Sequence, residues 1–490
     1  MSASTPSEGF VGRFLVLRGA ARELWIIFAA KLLAILAYGI MNQTLILWLS
    51  SDLGYGDAYA AFIVAVWSTI MTMATVMVGS LVDAIGLRKS FLLGIMVCVF
   101  ARGMMTFTTI PWLAAGVGLM SLAVGEALMT PVMVAAVRRY ATTAQRSVSF
   151  SIFYVMMNVG FLVGGLIFDA VRQQLGETGH YTLPLLGIEL TTYRVLFLIS
   201  FLGTIPNLIL MFFGLRAGVE ATDEGLKITP ETPKYREHPL LKGLGLTIRD
   251  AFDDTIRIFA GLWRQPAFFK FLGFLSLVVA VRLIMYHMSY TYPKFGIREL
   301  GEGAPIGRLW AVNQFLIIFL VPIAGVLCLK MSAYRVVVIG SAVATCAVFI
   351  MAMPPAWFQG LADGAPGHWI GHVWLGLEGA VHPYYLMILL FVVVLSVGES
   401  LYSPRLYEYP AAIAPKGQEA SYMSLSYLPF FVAKFFVGML SGPLLVLYCP
   451  ETGPRQSHLL WTAIAMMTMI TPLGLIVLQR FIRVKEAGRE

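Results

Sequence analysis

The stretch ELWIIFAAKLLAILAYGIMNQ, residues 23–43, is apolar enough to enter a membrane, yet Lys31 interrupts it. Lys31, Tyr38 and Asn42 stand at i, i+7 and i+11, which at 100° per residue puts them on one stripe of a helix. Similar stripes return in Ser151, Tyr154 and Asn158 of FSIFYVMMNVG, in Arg282, Tyr286 and Ser289, and in Ser396, Glu399 and Ser403 of SVGESLYSP. Glu126, Thr130, Asn313 and Lys434 add single polar groups to further apolar runs. A charge at the centre of a membrane helix costs roughly 2.5–3.5 kcal/mol on insertion scales, so each is expected to face a cavity or a partner. The chemistry that suits such residues is solute binding and proton exchange, in which a buried carboxylate trades its proton against a salt bridge. Glu399 and Arg282, near the middle of their runs, are the leading pair, and Glu126 is a second proton-linked candidate.

Other readings stay open. Lys31 lies roughly 12 Å from the start of its helix, within reach of snorkelling to the surface. Arg102 reads as an external snorkeller or a structural ion pair. Arg405 and Glu408, near a helix end, suit gating or structural pairing. Lys434 has no polar stripe around it. A lone helical His287 is more often structural than catalytic.

The elements that must hold these residues follow from composition. The chain has 490 residues, 58% hydrophobic and 13% charged, far from the balance of a soluble domain. A spanning helix needs about 20 mainly apolar residues. Twelve stretches qualify, near 24–49, 58–82, 91–108, 111–137, 147–168, 194–215, 267–292, 306–329, 335–355, 383–409, 419–448 and 457–480. Most of the 35 basic residues fall in segments on the side of the N-terminus, so the positive-inside rule places both termini in the cytoplasm. The net charge of +8 is then a topological bias rather than a nucleic-acid surface. Cys98, Cys328, Cys346 and Cys449 lack CxxC spacing, so no disulfide framework, metal site or cofactor is expected. The first apolar run is too long for a cleavable signal peptide and is expected to stay in the protein.

The longest cytoplasmic segment separates six helices from six. The expected division is a tail 1–22, a bundle 23–215, a linker 216–265, a bundle 266–480 and a tail 481–490. Within the linker Ile248, Phe252, Ile256 and Phe259 recur at helical spacing, as in an amphipathic interfacial helix. GSLVDAIGLRKS (79–90) and GVLCLKMSAYRV (325–336) occupy equivalent places in the two halves. Two related bundles around a central site are a common design of secondary transporters.

The loop 79–90 resembles the signature loop of the major facilitator superfamily, through Gly79, Asp83, Gly86, Arg88 and Lys89, with Ala84 and Leu87 where basic residues are usual. That resemblance implies an all-α polytopic membrane protein with 12 transmembrane helices in two six-helix bundles, and a gating role for the loop. GEALMTPVMVAAV and RSVSFSIFYVMMNVG (125–160), WAVNQFLIIFLVP (310–322), GESLYSP (398–404) and IAPKG (413–417) are similar to proton-coupled oligopeptide transporters. The departures lie in helix one, where that family's Glu-x-x-Glu-Arg falls on Lys31, Ala34 and Ile35, and in helix four, where its Lys is Thr130. The resemblance implies that Tyr154, Asn158 and Asn313 contact peptide backbone or termini and that Glu399 meets an amine or a proton. A substrate carboxylate then needs Lys31 or Arg282.

The leading function is a secondary transporter of a small peptide-like or zwitterionic solute, proton-coupled through Glu399. Lys31, Arg282 and Lys434 outnumber Glu126 and Glu399, so an organic-anion uniporter or exchanger is the runner-up, followed by a transporter-like solute sensor. No catalytic constellation supports an enzyme. Expected partners are the solute, protons and the lipid bilayer, with no nucleic acid, for a monomer in the cell membrane.

Overall fold

The computed structural model describes residues 17–483, apart from 143–144, 185–186, 229–234, 236, 240–241, 244, 247–248, 251–252, 254–255, 257–259, 261–262, 264–265, 329–330 and 414–427. Among these, eleven helices are long and apolar enough to cross a membrane, and the run Val432–Tyr448 adds a shorter apolar helix. In chain order the principal helices are α1 (Arg22–Leu47), α2 (Asp57–Ile85), α3 (Leu87–Phe107), α4 (Met120–Tyr140), α5 (Arg146–Leu175) and α6 (Thr192–Gly214). The second set is α7 (Pro266–Tyr290), α8 (Ile306–Leu327), α9 (Ala333–Ala352), α10 (Tyr384–Ile413), α11 (Leu428–Tyr448) and α12 (Ser457–Val477). Backbone hydrogen bonds in hydrocarbon must close within the segment, which is why the apolar runs become helices. The expected start of helix eleven and the loop 414–417 lie outside the described residues, as do Ile248, Phe252 and Phe259 of the linker; Ile256 is helical and exposed.

Hydrocarbon replaces water as the solvent, so large apolar side chains occupy both faces of a helix. On α12, Leu459, Met466, Ile470, Leu473 and Val477 form an exposed stripe at helical spacing, while Leu460, Trp461, Ile464, Ala465 and Leu475 are buried opposite. α1 packs on α5 and α6, α4 on α2 and α3, and α3 on α6. In the second set α9 packs on α10 and α12, α8 on α10, and α7 on α11 and α12. Two seams join the sets: α11 lies along α2, and α8 along α5.

Small residues bring these seams together. A Cβ on Gly442 would stand 2.5 Å from the Ala58 Cα, and one on Gly438 2.4 Å from the Ala65 Cβ. At the other seam a Cβ on Gly307 would stand 2.5 Å from the Gly165 carbonyl oxygen. Glycine is required at these crossings for close backbone approach.

The all-helical expectation omitted two antiparallel hairpins in connecting segments. β1 (His180–Leu183) pairs with β2 (Ile188–Thr191), and β3 (Val219–Thr222) with β4 (Gly225–Ile228). Four-residue strands are too short for alternation to stand out from loop sequence.

Candidate functional site

α1 carries Lys31 inward. It is buried, and its ammonium lies 4.6 Å from the centre of the Phe153 ring on α5. Tyr38, two turns on, meets Phe161 edge-on with ring centres 6.2 Å apart, in the neighbourhood of Tyr286 and Tyr290 of α7 and of Glu126 of α4. The Asn42 side-chain oxygen is buried without a hydrogen-bond partner among the described residues. From α5, Asn158 donates to the Tyr154 carbonyl at 2.9 Å, so its amide nitrogen is engaged within its own helix.

Glu126 gathers charges from three other helices. The Arg102 guanidinium of α3 binds it directly and donates to Thr204 of α6 at 2.9 Å. Arg102 is therefore buried in an internal ion pair rather than snorkelling to the surface. Lys31 and Lys434, the latter from α11 in the second half, also act electrostatically on Glu126. Lys434 is buried with its ammonium 5.6 Å from the Tyr286 ring. Lys434 had no polar stripe to mark it in the sequence; packing of α11 beside α7 and α2 brings it to this cluster.

A second cluster belongs to the C-terminal half. Asn313 of α8 donates to Glu399 of α10 at 3.0 Å and to Ser396 at 3.0 Å, and Gln314 donates to the Asn313 oxygen at 2.9 Å. Arg282 of α7 donates to Ser403 at 3.4 Å, lies 5.4 Å from the Tyr402 ring and acts electrostatically on Glu399. Among the described residues Glu399 has no cation within 4.0 Å. A buried carboxylate held by a neutral amide, with a guanidinium at longer range, can be protonated without breaking a direct ion pair. His287 is buried beside Thr291 at 2.7 Å and touches neither cluster by hydrogen bond.

In the signature loop Gly86 has φ +87°, a left-handed conformation suited to glycine, and ends α2 where α3 begins. Arg88 donates to the Phe212 carbonyl at 2.8 Å, tying the loop to the end of α6, while Lys89 is exposed. Gly79 and Asp83 lie in the last turns of α2, and their side-chain surroundings are outside what is described.

Sequence reasoning missed a network at the face opposite the termini. Asp57, at the start of α2, binds Lys294 and accepts from Arg298 at 2.6 Å; both cations lie on the short helix Tyr292–Leu300 that follows α7. Arg298 also reaches Glu451 at 2.9 Å and the Cys449 carbonyl at 2.7 Å. At the other seam Asp169 of α5 accepts from the backbone N–H of Gly307 at 2.9 Å and of Arg308 at 2.6 Å, a carboxylate on the positive end of α8. Arg172 binds Glu177 and donates to the Ala304 carbonyl at 3.3 Å, and Tyr193 donates to Glu177 at 2.7 Å. Burial raises the Glu177 carboxyl, but the hydrogen bond and charge of Arg172, with the Tyr193 hydroxyl and the Gly303 N–H, together outweigh it and hold the group below the ordinary value. Burial likewise draws the Lys294 amine down against the pull of Asp57. The legible signal was Asp169 and Arg172 at i, i+3 and Lys294 and Arg298 at i, i+4 in what read as plain loop ends.

The Major Facilitator Superfamily sequence profile matches residues 27–381. No curated protein matches the chain. A POT family transporter in complex with 5-aminolevulinic acid is similar in structure, with TM-score 0.70 and 17% identity over 98% of this chain and 99% of that one. A POT family transporter in complex with a thioalcohol-conjugated peptide gives 0.68 at 17% identity, over 94% and 97%. The peptide transporter POT in complex with sulfate gives 0.67 at 17%, over 98% and 97%. At that identity the likeness establishes the fold. The profile match, covering most of the chain and reaching from α1 past α9, decides membership: the chain belongs to the Major Facilitator Superfamily, and it is a multi-pass integral membrane transporter, not an enzyme.

Proposed function

We propose that the chain is a secondary active transporter that moves a small peptide-like or zwitterionic solute by alternating access, coupled to protons through Glu399. The observation that carries the proposal is the Asn313–Glu399 contact at 3.0 Å in a buried setting with Arg282 at electrostatic range. A carboxylate so placed receives either a proton or a solute amine, and Arg282 responds to its change of charge. Glu126, bound directly to Arg102, is the poorer proton carrier, because protonation there strands a buried guanidinium. Lys31 supplies a cation for a solute carboxylate, and Tyr38, Asn42, Tyr154 and Asn158 furnish polar contacts on the N-terminal side. The bundles 23–215 and 266–480 act as the rocking units, joined by the linker 216–265, and the networks of Asp57 and Asp169 hold one face shut.

The test is concentrative uptake of Ala-Ala and Ala-Glu into proteoliposomes under an imposed pH gradient. Accumulation that follows the gradient in the wild type and fails in Glu399→Gln supports the proposal; unchanged accumulation in the variant removes Glu399 as carrier. The excess of buried cations favours a second reading, an organic-anion uniporter or exchanger, for which uptake would not depend on the proton gradient.

A further inference from the structure

Charge around Glu126 is out of balance. Arg102 satisfies that carboxylate directly. Lys31 and Lys434, one from each half, act on the same group at longer range. They are 2% and 8% exposed, and among the described residues neither ammonium has a carboxylate oxygen within 4.0 Å. Their contacts are ring faces, Phe153 at 4.6 Å and Tyr286 at 5.6 Å. A π face offsets only part of the desolvation of an ammonium.

The second cluster does not relieve the excess, since Arg282 and Glu399 offset one another. Arg405, near the inner end of α10, has a partner of its own. Among the described residues of the two clusters four cations, Lys31, Arg102, Arg282 and Lys434, thus face two carboxylates, Glu126 and Glu399. Chemistry that would complete the site must bring negative charge, and it must bring it between the two bundles.

We infer that the transported solute carries two anionic groups, one received by Lys31 of α1 and the other by Lys434 of α11. An acidic dipeptide and a simple dicarboxylate share this chemistry. The inference rests on the proposed solute transport and narrows its class; whether an amine accompanies the anions is decided at Glu399. A dianion that contacts both lysines bridges the two halves, which links binding to closure.

The test uses the full chain in detergent and in liposomes with four probes: Ala-Ala, Ala-Lys, Ala-Glu and glutarate. Ala-Glu is expected to bind about tenfold more tightly than Ala-Ala or Ala-Lys, a step equal to one charge-assisted contact. Lys31→Gln and Lys434→Gln should each erase that preference, Lys434→Arg should keep it, and Glu126→Gln, which removes a competing anion, should increase it. Size-exclusion profiles show which variants fold. If either Gln variant does not, Lys31→Arg and Lys434→Arg, which keep both charges, carry the test, and loss of the acidic preference in both folded Arg variants overturns the inference. Equal binding of all three dipeptides keeps the peptide proposal and overturns the inference, as does an acidic preference that survives in both folded Gln variants. Binding of glutarate but of no dipeptide keeps the inference and removes the peptide proposal. Binding of none of the four overturns both.

Discussion

Replacing Asp169 by Asn should open the face opposite the termini. The carboxylate accepts from Gly307 and Arg308 N–H at 2.9 and 2.6 Å and stands 3.5 Å from Arg172. Asn keeps one acceptor but sets its NH2 against the second backbone donor, so one charge-assisted bond is lost, about 1.5–3 kcal/mol. The loss of negative charge at the α8 terminus adds about 0.3–1 kcal/mol. Asn retains part of the geometry, and a working value of about 2 kcal/mol moves the closed-to-open ratio by about 30-fold. Spin labels at Tyr181 and Trp357, exposed positions in the connections on that face from the two halves, report the separation. Pulsed dipolar spectroscopy on a background without Cys98, Cys328, Cys346 and Cys449 should show a longer distance gaining population in Asp169→Asn. An unchanged distribution in a folded variant would refute the idea that this carboxylate holds the α5–α8 seam shut.

Three further outcomes follow from named contacts. Gly442→Leu places side-chain atoms where even a Cβ would stand 2.5 Å from the Ala58 backbone; the α2–α11 seam should separate and thermal stability fall by about 2 kcal/mol or more, and a normal melting profile would remove close packing as the reason for the glycine. Glu177 titrates below its ordinary 4.5, so its contribution to stability is complete above that pH and is lost as the pH falls through the lower folded value; acid melting curves should show this loss, and Glu177→Gln should lack it. Lys31→Ala should fold yet lose most solute affinity, measured by binding in detergent, whereas normal transport would return the lysine to a merely structural role.

Much of the fold was legible because hydrocarbon imposes a simple rule: long apolar runs become helices. The stripe of Lys31, Tyr38 and Asn42 was legible because helical periodicity alone defines it. Pairings between helices were not. Arg102 and Glu126 are 24 residues apart, and their meeting depends on which face α3 turns toward α4. Helices apolar on nearly every side carry little amphipathic signal to fix that rotation. The same gap hid Lys434, whose place depends on how α11 crosses α2 and α7, and it hid Asp169, whose backbone partners lie 138 and 139 residues away. The hairpins were missed for a different reason, their strands being too short to show a period.

The most direct test of the central claim is proton influx into proteoliposomes containing a trapped pH dye, with Ala-Glu and Ala-Ala added to wild type and to Glu399→Gln. Internal acidification on adding dipeptide to wild type, absent in Glu399→Gln although the variant still binds the solute, is the expected result. Acidification that persists in Glu399→Gln, or solute uptake by wild type with no proton movement, would contradict it.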